Sequence, residues 1–94
     1  MSWSVELRPA ARKEYRQLED GPRRSAAFML AELAEEGPFL TGAIPMRGYD
    51  DTWRVRFHNE RFRLIYRVYE SRQRISVLRI RPRASAYRGM RDGD

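Results

Sequence analysis

Seven arginines, Arg54, Arg56, Arg63, Arg67, Arg79, Arg81 and Arg83, recur in the second half of this sequence within runs that alternate with apolar residues. Alternation with a period of two sends successive side chains to opposite faces of a β-strand, so these arginines share an outward face. Neighbouring strands lie about 4.8 Å apart and alternate residues about 6.6 Å apart, close enough for several guanidiniums to surround one phosphate. A guanidinium donates two parallel hydrogen bonds from a planar fork and keeps its charge at neutral pH. The chemistry open to such a cluster is phosphate binding and the stabilisation of negative charge building up on phosphorus oxygens. Crowded cations repel one another, which makes the cluster easier to understand if an anion binds there. The plain alternative is a solvated face whose arginines pair with Asp50, Asp51, Glu60 and Glu70.

The elements that position these residues follow from hydrophobic periodicity. Trp3, Val5 and Leu7 alternate with Ser4 and Glu6, which predicts a strand ending at Arg8-Pro9. A first helix follows, with Ala11, Tyr15 and Leu18 forming one apolar stripe, and Asp20-Gly21-Pro22 is expected to break it. A second helix from about Pro22 to Glu36 lines one face with Ala26, Met29, Leu30, Leu33 and Ala34 and stops at Gly37-Pro38. Residues 38–51 read as a loop that enters its next strand near Met46. In Trp53-Arg54-Val55-Arg56-Phe57 and Phe62-Arg63-Leu64-Ile65-Tyr66-Arg67-Val68 the alternation places Trp53, Val55, Phe57, Phe62, Leu64, Tyr66 and Val68 inward. His58-Asn59-Glu60 reads as the turn between them. The third strand, about Ile75 to Arg81, has Leu78 and Ile80 on the parity opposite to Arg79, Arg81 and Arg83, while Ile75 and Val77 break the pattern and suggest a bulge. The expected fold is α+β: a small antiparallel sheet with the two N-terminal helices packed on one face, in the order βααβββ, leaving the arginine face open to water.

Composition narrows the classes. Ninety-four residues support a single domain, expected over 1–94. With no cysteine and a lone histidine, His58, neither a disulfide framework nor a histidine-cysteine metal cluster is available. No apolar run is long enough to span a bilayer and the start lacks a signal-peptide layout, so the reading is a soluble cytoplasmic protein without a membrane partner. The net charge is +6, and of the 19 basic residues only Lys13 is lysine. Residues 1–46 carry six basic and seven acidic side chains, whereas residues 47–94 carry thirteen and six. A cationic half-domain points to a polyanionic target, with nucleic acid first.

Several stretches together resemble the RelE/ParE toxin family. They are Pro9-Ala10-Ala11-Arg12-Lys13-Glu14-Tyr15-Arg16-Gln17-Leu18, Met46-Arg47-Gly48-Tyr49 with Thr52-Trp53-Arg54-Val55-Arg56, the strand Phe62-Arg63-Leu64-Ile65-Tyr66-Arg67-Val68, and Arg81-Pro82-Arg83 before Ala86-Tyr87. The resemblance covers about residues 3–90 and is closer to the RelE-type messenger RNA interferases. It implies the toxin of a type II toxin-antitoxin system, a ribosome-dependent endoribonuclease that inhibits translation without metal or other cofactor. The RNA's own 2′-hydroxyl attacks the adjacent phosphate. Partners implied are a cognate antitoxin, the ribosome and messenger RNA. Matching positions assign Arg63, Arg81 and Tyr87 to catalysis, with the two arginines at the scissile phosphate and Tyr87 in stacking or proton transfer. Arg54 and Arg56 are assigned to RNA binding, with Arg83 as a second-rank member of that set. Many relatives carry lysine where Arg54 and Arg56 stand, and arginine is a poor general base, so a proton-transfer role at these two positions does not carry over.

Two other functions fit parts of the pattern. A ParE-like toxin would poison DNA gyrase, but such members generally lack this arginine and tyrosine set. A non-catalytic nucleic-acid-binding module would need the arginines but not Tyr87. His58 reads as a solvent-exposed turn residue rather than an acid or base. Whatever the target, an acidic or helical antitoxin segment would find a docking site on the arginine face.

Overall fold

The computed structural model describes residues 2–90; Met1 and residues 91–94 of the domain expected over 1–94 lie outside the described residues. The first strand, β1 (Ser4–Leu7), half-buries Val5 and Leu7 and exposes Ser4 and Glu6, as its alternation requires. Pro9 opens α1 (Pro9–Gln17), where its missing N–H is no loss. The helix buries Ala11, and Tyr15 and Leu18 are half-buried against the core.

The break between helices comes earlier than expected. Leu18 and Glu19 adopt extended backbone, and Asp20, Gly21 and Pro22 form the first turn of α2 (Asp20–Glu36) instead of a turn before it. A proline is tolerated there because first-turn N–H groups have no intrahelical acceptor, and Asp20 places an anion at the positive end of the helix dipole. Gly37 closes α2 with φ +90°, its N–H donating to the Leu33 carbonyl at 3.0 Å. A Cβ at Gly37 would lie 2.9 Å from the Trp3 indole nitrogen, so both conformation and space demand glycine.

Three further strands follow a two-residue edge strand, β2 (Ile44–Pro45), which pairs with β3 (Thr52–Phe57). Pairing thus begins just before Met46, and Pro45 is accommodated because an edge strand needs no donor on its outer side. β3 runs antiparallel to β4 (Phe62–Tyr69), and β4 antiparallel to β5 (Arg74–Pro82). The sheet order is β1-β5-β4-β3-β2. One expectation is corrected here: β1 pairs with β5 in parallel, so the sheet is mixed rather than wholly antiparallel. The chain leaves β1 through two helices and returns by way of three strands, and no hairpin constrains the direction of β1.

Both helices cover one face. Ala11, Ala26 and Leu33 join Val55, Phe57, Leu64, Tyr66, Val68, Ile75, Val77 and Ile80 in one apolar cluster, with Trp3, Trp53 and Phe62 packed at its margin. Tyr66 is fully buried and donates its hydroxyl to the Pro38 carbonyl at 2.5 Å, and burial pushes that hydroxyl's pKa up. Leu78 departs from its expected inward place. The ladder pairs Ile65 with Arg79 but Tyr66 with Val77, so Leu78 is the extra residue of a β-bulge and stays outside the core cluster. The bulge lets Ile75, Val77 and Ile80 all face the helices.

The hairpin turn is built by His58, Asn59 and Glu60, all left-handed with φ of 52°, 57° and 62°. His58 is half-buried rather than solvent-exposed. Its Nδ1 lies 2.9 Å from Ser25 Oγ, and this contact ties the turn to α2.

Candidate nucleic-acid interface

Cross-strand register decides which arginines meet. Arg56 pairs with Arg63 across β3 and β4, and Arg63 pairs with Arg81 across β4 and β5, giving a row of three guanidinium residues on the face opposite the helices. The next row is Arg54, Ile65 and Arg79, and the one after it Thr52, Arg67 and Ser76. Arg83 is not part of this face. It begins the short 3₁₀ turn Arg83–Ser85 beyond β5, exposed, with its N–H donating to the Arg61 carbonyl at 2.8 Å. Pro82 ends the strand, so the alternation that counts Arg83 with Arg79 and Arg81 stops one residue too early for it.

The three arginines of the first row have different surroundings. Arg63 is only 4% exposed, and its Nη1 donates to the carbonyls of Glu60 and Phe62 at 2.7 and 3.1 Å. Its Nε is buried without a hydrogen-bond partner, and no carboxylate pairs with it among the described residues. A buried cation with one donor unsatisfied is expensive to keep unless a further acceptor arrives. Arg56 reaches Glu60 at 2.8 Å, an exposed pair of little energetic consequence. Of the four carboxylates considered as partners for the arginine face, only Glu60 forms an ion pair among the described residues.

Arg81 is held by a residue that sequence reasoning missed. Its Nε donates to Glu14 Oε2 at 2.5 Å, and the other Glu14 oxygen accepts the Ile80 N–H at 2.9 Å. β1 covers β5 only as far as Val77, which leaves the Ile80 N–H on an uncovered sheet edge for Glu14 to satisfy. The signal was there: Glu14 lies three residues after Ala11 and four before Leu18, beside the apolar stripe rather than opposite it. A cleft of about 540 Å³ opens between α1 and the hairpin end, with Leu18, Phe62 and Ile80 in its wall and Glu14, His58 and Arg81 among its polar groups.

Tyr87 comes back over the second row. Arg54 Nη1 donates to the Tyr87 hydroxyl oxygen at 2.7 Å, with the guanidinium carbon 5.7 Å from the ring centroid. Arg79 Nη1 donates to the Ala86 carbonyl at 3.2 Å and also to the Arg88 carbonyl, which draws the tail across the sheet. The face is therefore not uniformly wet: Ile65, between Arg54 and Arg79, is fully buried, as is Ala86. Tyr87 itself remains 39% exposed. Arg54, Arg56, Arg81 and Tyr87 thus lie on one face and at its edge with their side chains exposed or half-buried, whereas Arg63, on the same face, is buried. No three His, Cys, Asp or Glu side chains converge as metal ligands among the described residues, and no helix there is long and apolar enough to cross a membrane.

Solved structures share this arrangement of elements. The isolated E. coli RelE toxin superposes with a TM-score of 0.74 at 22% identity, over 86% of this chain and 84% of that one. The fold is that of the RelE/ParE toxins. A RelE-RelB complex from Pyrococcus horikoshii contributes a RelE-fold chain that matches with a TM-score of 0.68 at 24% identity, over 92% of this chain and all of that one. A RelBE toxin-antitoxin complex from Mycobacterium tuberculosis gives 0.66 at 25% identity, over 88% of this chain and all of that one. No protein-family model and no curated protein matches the sequence.

Proposed function

We propose that this chain is the toxin of a toxin-antitoxin pair, and that its arginine face cleaves messenger RNA on the ribosome in the cytoplasm. The observation that carries the reading is the cross-strand row Arg56, Arg63 and Arg81, in which Arg63 is buried with no carboxylate partner among the described residues. The fold shared with toxins solved alone and in antitoxin complexes supports the same reading and supplies the partner, a cognate antitoxin.

The chemistry follows from the donors available. The 2′-oxygen of one nucleotide bonds to the neighbouring phosphorus, its proton passes to water, and the bond to the 5′-oxygen breaks, leaving a cyclic phosphate. Charge concentrates on the phosphoryl oxygens at mid-reaction, and Arg63 and Arg81 are fixed beforehand to receive it. Guanidiniums have no acceptor, so none of them takes the 2′-hydroxyl proton. Arg54 occupies a lone pair of the Tyr87 oxygen and cannot accept the phenol's own proton, which leaves Tyr87 free to protonate the departing 5′-oxygen. Arg54 and Arg56 hold the RNA backbone, and Arg83, at the rim, supports the strand as it leaves. No cofactor is needed for these steps.

The test is cleavage of a defined messenger RNA by the purified protein, with and without programmed ribosomes. Wild type should cut only with ribosomes, and Arg81→Ala should lower kcat/KM by about 10²- to 10³-fold, the usual effect of removing one preorganised donor. Absence of cuts in both conditions, with inhibition of gyrase supercoiling instead, would move the chain to a ParE-like reading.

A further inference from the structure

A cavity of about 560 Å³ lies at the end of the sheet away from the turn at His58, Asn59 and Glu60, where β3 begins and β4 ends. Thr52, which opens β3, is four residues from Arg56, so roughly 13 Å of strand separates the cavity from the first arginine row. Two aromatic rings stand in its wall. Trp53 is half-buried at the margin of the core, and Phe39, two residues after Gly37, is 54% exposed. Their centroids are 5.0 Å apart and their planes meet at 63°, so the rings make a corner rather than a stack. The face of each ring carries negative potential, and a corner lets one ligand touch both.

The polar part of the wall has the same sign. Asp51, just before β3, and Glu70, just after β4, line the cavity, and both are exposed. The Val68 N–H donates to the Asp51 carbonyl at 2.8 Å, which draws the two strand ends together. Neither carboxylate enters an ion pair among the described residues. Arg72 also lines the cavity, but two carboxylates against one guanidinium leave the wall net negative. This reverses the charge of its surroundings, since residues 47–94 carry thirteen basic and six acidic side chains.

We propose that this cavity binds an organic cation, a primary ammonium group carried on an alkyl chain. The ammonium would sit in the corner of Phe39 and Trp53 with Asp51 and Glu70 as counter-ions, and its methylenes would lie along the rings. A phosphate is disfavoured by the same carboxylates that favour a cation. A divalent metal suits the wall poorly, because the rings offer no lone pair and two carboxylates are its whole set of acidic ligands. The chemistry is shared by a free polyamine and by a lysine side chain of a bound protein. Neither source depends on whether the arginine face cuts RNA.

The experiment titrates the purified, isotope-labelled protein with spermidine and, separately, with Nα-acetyl-lysine amide, following its amide and indole NMR signals at fixed ionic strength. The Trp53 indole signal, assigned by its loss in Trp53→Phe, should move saturably together with the amides of residues 51 and 70. Asp51→Asn/Glu70→Gln should bind at least tenfold more weakly. Phe39→Ala keeps both carboxylates and should bind about two- to fivefold more weakly, the usual worth of one exposed cation-aromatic contact. The control Glu35→Gln/Glu36→Gln removes equal charge from the end of α2 and should bind like wild type. Thermal melts of each variant check that it is folded. Saturation by spermidine would identify a free polyamine as the ligand, and saturation by the lysine derivative alone would identify a side chain of a partner protein. No saturable shift with either probe would overturn the proposal, as would equal weakening in the cavity and control variants, or unchanged binding by Phe39→Ala.

Discussion

Tyr87 offers the sharpest test among single residues, because ring and hydroxyl are held by one partner for two reasons. Arg54 sits near the ring and donates to its oxygen. Tyr87→Phe keeps the ring and removes only the oxygen. If the hydroxyl delivers a proton, kcat should fall by about 10²- to 10⁴-fold with KM little changed, as single-turnover cleavage on programmed ribosomes would show. A variant that keeps its rate would confine Tyr87 to stacking. The pairing of Tyr87 with Arg54 was not legible from sequence, since it joins residues 33 apart through a tail that lacks regular periodicity. The arginine parity was legible, because period two leaves only two faces to choose between. Glu14 escaped notice for a different reason: its role depends on where β1 stops along β5, and that is a property of register.

At the scale of elements, the two helices, the hairpin and the final strand were all readable from apolar spacing. The start of α2 was not, because Asp20-Gly21-Pro22 has turn chemistry and first-turn helix chemistry at once. Nor was the direction of β1, which no hairpin dictates. The end of α2 was readable, and it carries a stability prediction. Gly37→Ala forces an L-residue to φ +90° and ψ −177° and drives its methyl toward Trp3. The expected loss is about 2 kcal/mol or more, seen as a Tm lowered by roughly 10 °C, while cleavage per folded molecule is unchanged. Equal thermal stability of the variant and wild type would mean that the α2 to β1 junction relaxes freely.

For the molecule as a whole, apolar side chains line the sheet face under the helices and arginines the opposite one, and the arginine face is where an acidic partner is expected. An antitoxin that covers the arginine face should silence the proposed cleavage, and an acidic segment that is disordered when free suits a domain of this size. Co-expression with a small antitoxin encoded beside this chain should relieve growth arrest, and the two should co-purify and dissociate as salt rises. Persistent arrest with no complex would exclude that protein as the partner.

Leu78 shows how finely this division is set. Along β5 the chain behaves like a wave with a half-period slip at one residue: Ile75 and Val77 face the helices in one phase, Arg79 and Arg81 face outward in the other. Without the slip, a strand in phase with Val77 would turn Arg79 and Arg81 into the apolar layer and Ile80 to the outside. The polarity of the molecule, grease on one side and cations on the other, therefore hangs on an odd rather than an even count of residues between Val77 and Ile65's partner.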